Sequence, residues 1–163
     1  MKNLTLNCIV LAAGFLVGCS KTEPAAPPKE AVHHHEHKPP HGGAPVELGE
    51  EENHVEFVLD APNGKLQAFV MDGELENFVR IDAPSLEIAV KVSGQPEKLV
   101  LQPVANNATG EKVGDTSLFE ARADWLKTTP TFDAVLKEIT VHGKTYTNIL
   151  FNFPKGNDDK SKK

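Results

Sequence analysis

Five of the nine residues 33–41 are histidine: His33, His34, His35, His37 and His41, with Glu36 among them. Neutral imidazole is the commonest protein ligand for zinc, copper and nickel. A flexible chain wraps several imidazoles around one ion without a preformed cage. Pro39-Pro40 and Gly42-Gly43 punctuate the run and let it bend back. Capture through such nitrogens weakens as pH falls through ~6.5, the unperturbed histidine value, because a protonated imidazole has no lone pair to give. The competing reading is a solvated, low-complexity spacer that takes up metal only adventitiously. His54 and Glu56 form a second feature. Two apart on a predicted strand, they share one face and can converge on an ion. The alternative is a polar edge strand beside Glu50, Glu51 and Glu52. If residues 46–48 pair with 55–56 across a turn, His41 extends away from His54. It can join them only if Gly42-Gly43 reverses the chain. His142, before Gly143, reads as a turn residue, and Met71 as core filling.

Other chemistry is harder to place. There is no Gly-x-Ser-x-Gly elbow, no phosphate-cradling glycine loop and no His-Glu-x-x-His. No pair of acids stands out for proton transfer, so the expectation is a protein that is not an enzyme. The chain carries 17 basic and 23 acidic residues, a formal charge of -6. That argues against a nucleic-acid binder, which needs a basic face for phosphates.

The elements that would position the histidines begin with an address. Lys2 is followed by an almost uncharged run from Leu4 to Val17, the pattern of a secretory signal. The run falls short of the ~20 apolar residues a spanning helix needs. It ends Leu16-Val17-Gly18-Cys19, which resembles the lipobox of bacterial lipoproteins. The resemblance implies cleavage before Cys19, a diacylglycerol thioether on its sulfur, and attachment to a bacterial envelope membrane through acyl chains. Cys8 would leave with the signal, so the lipidated chain could form no disulfide. Ser20 follows the cysteine. By resemblance to enteric lipoproteins, that residue permits export to the outer membrane, facing the periplasm if the source is diderm.

Six of the twelve prolines fall between Pro24 and Pro45. With almost nothing apolar to bury, residues 19–45 read as a disordered Pro/His-rich tether that holds a domain off the bilayer. Residues 154–163 read as a disordered polar tail. Between them, 46–153 should form an all-β domain. Val55, Phe57 and Leu59 alternate, as do Leu66, Ala68 and Val70, with Pro62-Asn63-Gly64 as a turn between. Leu86, Ile88, Val90 and Val92 give the cleanest alternation. Residues 78–82, 98–102 and 117–121 read as further strands, and 124–127 as one helical turn. Near the end, Val135, Lys137, Ile139 and Val141 alternate, then Thr145, Thr147, Ile149, Phe151 and Phe153. His142-Gly143 between them suits a two-residue hairpin. Strands at this spacing predict an Ig-like β-sandwich or a small antiparallel barrel.

His41-Gly42-Gly43, Val46-Glu47-Leu48-Gly49 and His54-Val55-Glu56-Phe57-Val58-Leu59-Asp60, continued by Gly64-Lys65-Leu66 and Val70-Met71-Asp72, resemble a group of small bacterial envelope lipoproteins. These carry a His-rich leader, a His-Gly-Gly motif and a His-x-Glu strand. The leader is also similar to N-terminal segments of periplasmic adaptors in heavy-metal efflux. The resemblance spans about residues 33–82. It implies that His41, His54 and Glu56 are metal ligands and that a metal-efflux or other envelope protein is the partner. It names neither a reaction nor a metal.

Overall fold

The sequence alternation becomes eight antiparallel strands joined in one sheet, in a computed structural model that describes residues 38–92 and 94–157. The strands are β1 (Ala44–Leu48), β2 (Asn53–Asp60), β3 (Lys65–Asp72), β4 (Leu86–Val92), β5 (Gln95–Pro103), β6 (Leu118–Arg122), β7 (Phe132–Val141) and β8 (Lys144–Phe153). Their spatial order is β1-β2-β3-β6-β5-β4-β7-β8. The meander β4-β5-β6 therefore has β3 beside its last strand and β7 beside its first, which makes two overlapping Greek keys. The sheet curls into a nearly closed barrel, the second of the two all-β architectures expected. Its interior is filled by side chains, including Phe57, Leu66, Leu86, Ile88, Leu101, Phe119 and Leu136.

The seam between β1 and β8 is bridged by a side chain. Asn157 Oδ1 accepts from the Glu47 N–H at 2.7 Å, and Asn157 Nδ2 donates to the Glu47 carbonyl at 3.0 Å. The amide thus occupies the place of a neighbouring strand's peptide group. At the other end of the seam, Glu52 accepts from Lys144 and from the Tyr146 hydroxyl, the latter at 2.6 Å.

Local chemistry explains most boundaries. Asp60 caps the 3-10 turn Ala61–Asn63, and Gly64 ends it at φ 57°. His142 and Gly143, at φ 50° and 78°, form the two-residue turn between β7 and β8. Both need positive φ, which a type I′ hairpin demands. Asp124–Lys127 is the expected helical turn.

Three expectations change. Residues 78–82 make only isolated bridges, Met71 with Phe78 and Ile81 with Thr116, and form no strand. The folded part is also longer than 46–153. Ala44 and Pro45 belong to β1, residues 38–43 turn back onto the barrel, and 154–157 pack against β1 through Asn157. Finally, the alternation in β7 and β8 changes face midway. Phe132, Ala134 and Leu136 are buried, then Ile139 and Val141, while Lys137 is exposed. On β8, Tyr146 is buried, then Phe151 and Phe153, while Thr145 and Thr147 are exposed. Pairing runs on through Leu136 with Ile149 and Glu138 with Thr147. Between those pairs Asn148 takes φ 53° and accepts from Lys137 Nζ. A left-handed residue inside a strand rotates the chain, so one position on each side is passed over.

Candidate functional site

The outer face of β2 and β3 carries the predicted residues. Val55 and Phe57 point into the core, so Glu56 and His54 point out. Across the ladder Glu56 pairs with Phe69 and His54 with Met71; on the other side they pair with Pro45 and Glu47. An outward face is normally wet, yet residues 53–57 are all buried. Two coverings account for this. One is residues 38–43, which fold back. The other is the loop after β3, which lays Phe78 against Met71.

The reversal at Gly42-Gly43 does occur. Gly42 takes φ 69°, and its N–H donates to the Pro39 carbonyl at 3.0 Å. Gly43 must lack a side chain, since a Cβ there would lie 2.3 Å from the Phe57 carbonyl oxygen and 2.8 Å from Val58 Cγ2. This close approach puts two backbone N–H donors and an imidazole nitrogen on one carboxylate. Glu56 Oε1 accepts from the His41 N–H at 3.0 Å and from the Gly43 N–H at 2.8 Å. Glu56 Oε2 lies 2.7 Å from His41 Nδ1. Glu56 is 0% exposed, whereas the His41 side chain keeps 34% of its surface exposed. The imidazole stacks on Phe69, with centroids 4.0 Å apart and planes 11° apart, and Phe78 tilts beside it at 5.8 Å.

Asp72 holds the second covering in place. Its Oδ1 accepts from the backbone of Glu76 and Asn77, and its Oδ2 accepts from Asn77 Nδ2 at 2.7 Å. Burial pushes the Asp72 carboxyl up, but these hydrogen bonds outweigh it and hold the group below the usual range. The turn so formed carries Phe78 towards the His41 ring.

The structure therefore joins His41 and Glu56 and sets His54 on the same face, two residues along β2. His54 Nδ1 lies 3.3 Å from the Asp72 carbonyl oxygen. Among the described residues, no group of three or more His, Cys, Asp or Glu side chains converges as a metal cage. His33, His34, His35, His37 and Cys19 lie outside the described residues. Sequence reasoning passed over Phe69 and Phe78. A signal for Phe69 existed: with Leu66, Ala68 and Val70 facing the core, Phe69 had to face outward, where a bare aromatic needs a cover.

Together the fold and the site define a small all-β, barrel-like protein with an imidazole clamped on its outer wall. No family model, no curated protein and no solved structure matches the chain.

Proposed function

We propose that this is a lipid-anchored, non-enzymatic protein of a bacterial envelope, attached through Cys19, that captures or buffers a transition metal. In a diderm cell it would sit on the outer membrane and face the periplasm. Zinc, copper and nickel suit the donor set of His33, His34, His35, His37 and His41. One observation carries the reading. His41, the last histidine of the run, is fixed to the barrel by Glu56 and stacked on Phe69. A spacer has no need of a clamped histidine at its exit. His54 stands close by on the same face as a further candidate.

Calorimetry on the chain from Ser20 onward tests this, with each of the three metals. A site is expected that is abolished by changing His33, His34, His35 and His37 together to Ala and weakened by His41→Ala. Equal affinity in all variants would overturn it.

A second reading, an interaction module for a metal-efflux or other envelope protein, is favoured by Phe78. This aromatic is 53% exposed beside the clamped histidine. Retention of an envelope partner regardless of chelator, with only millimolar metal affinity, would select it.

A further inference from the structure

We infer that Glu56 is a positioning residue and not a ligand: it fixes the proton of His41 on Nδ1 and so selects Nε2 as the atom that binds the ion. The inference rests on the metal-capture reading and specifies its geometry.

The carboxylate is already engaged on both oxygens. An ionised carboxylate only accepts hydrogen bonds. Glu56 already receives two backbone N–H groups on Oε1 and faces His41 Nδ1 with Oε2. It is wholly buried. Turning it towards an ion would strand the amides of His41 and Gly43 without partners, a penalty that a water-poor site does not relieve. Nδ1 at 2.7 Å from an acceptor must therefore carry the hydrogen. In the neutral ring, the lone pair then lies on Nε2. Among the described residues Nε2 has no hydrogen-bond partner, and the ring reaches solvent. A carboxylate behind a histidine in this way orients the ring and raises the basicity of its other nitrogen towards a metal.

The surroundings favour the same atom. Phe69 fixes the ring plane by stacking, and the Pro39–Gly42 turn fixes the backbone beneath it. His41 is thus a donor whose ordering is already complete on folding.

The test uses the chain from residue 20 onward, labelled with 15N, which retains every described residue. Above the range where histidine titrates, two-bond nitrogen–proton correlations report each ring's tautomer without metal. The expected result is Nδ1–H for His41, and a large shift of His41 Nε2 when zinc is added. In Glu56→Gln the amide oxygen keeps the two backbone donors while the NH2 donates to Nδ1. The variant should stay folded, shown by retained exchange protection of the Gly43 N–H. Its His41 should switch to Nε2–H, and zinc affinity should fall about 10–100-fold. A carboxylate that holds only the backbone of residues 41–43 would leave the tautomer unchanged, and one that holds the ring without serving the metal would leave the affinity unchanged. An unprotonated Nδ1 in the native protein overturns the inference, as does unchanged affinity in a variant whose tautomer has switched. Zinc bound with no change at His41 Nε2 overturns the inference alone and leaves capture by the rest of the run. Absence of binding to zinc, copper and nickel alike overturns both.

Discussion

Two glutamates four residues apart do the same kind of job in different solvent. Glu56 ties residues 41–43 to the outer wall of the barrel, and Glu52 ties the turn before β2 to the tip of the β7–β8 hairpin. Each gathers donors from a distant part of the chain. Glu56 is fully buried, while the Glu52 side chain is 45% exposed. The difference decides what each bond is worth. Around Glu52, water replaces a lost partner at once, and the Lys144 side chain gives up rotamer freedom to make its contact. Around Glu56, no water stands ready, so the donors depend on that one carboxylate. The first latch tunes a surface; the second decides whether a segment of chain, and the histidine on it, has a fixed position.

The largest effect should follow from removing the buried latch. Glu56→Ala leaves two amides and an imidazole N–H facing a hole, and residues 38–43 escape this only by lifting into water. Urea unfolding should show a loss of about 2–3 kcal/mol, set by unsatisfied buried donors and limited by that escape. Amide exchange at His41 and Gly43 should lose its protection while β4 and β7 keep theirs. A native midpoint in this variant would mean that the segment is not held by Glu56.

Asn157 stands between the two glutamates in burial, and so should its effect. Its side chain makes two hydrogen bonds with the Glu47 backbone across the β1–β8 seam. Asn157→Ala should lower stability by about 1–2 kcal/mol, the net value of two ordinary hydrogen bonds with some access to water. The same urea titration measures it. An unchanged midpoint would show that the seam is closed by core packing alone.

Why some of this was legible in the sequence, and some was not, follows from the range of the forces involved. β4 was plain because Leu86, Ile88, Val90 and Val92 repeat with the period of the pleat, which each residue sets by itself. The turns at Asn63-Gly64 and His142-Gly143 were plain because positive φ is a local demand. The change of face at Lys137 and Asn148 was hidden, since Thr147 and Ile149 still look like a continuing alternation. Placing β6 beside β3, or Asn157 beside Glu47, depends on contacts across 49 to 110 positions that no local pattern encodes. The site was half legible. His54 and Glu56 could be put on one face from spacing, and Gly42-Gly43 marked a possible reversal. What spacing could not supply was the fate of Glu56: its lone pairs go to backbone amides, which carry no side-chain signature.

The smallest effect belongs to Glu52, and pH and salt expose it better than mutation. The hydrogen bond from Lys144, and then that from Tyr146, hold the Glu52 carboxyl below the usual range. The same bond to Glu52 raises Lys144, while Tyr146 is raised first by burial and then by Glu52. A carboxyl lowered by folding contributes stability above its unfolded value and loses it as pH falls through the folded one. An ammonium raised by folding contributes below its unfolded value and loses it as pH rises through the folded one. The latch should therefore be flat across neutral pH and weaken at both extremes. Melting curves of native protein and Glu52→Gln should run close together at neutral pH. They should converge further in molar salt, which screens exposed charges, and below the carboxylate range, where the native latch is itself protonated. A gap that widened in salt or in acid would show that the Glu52 latch works by something other than its charge.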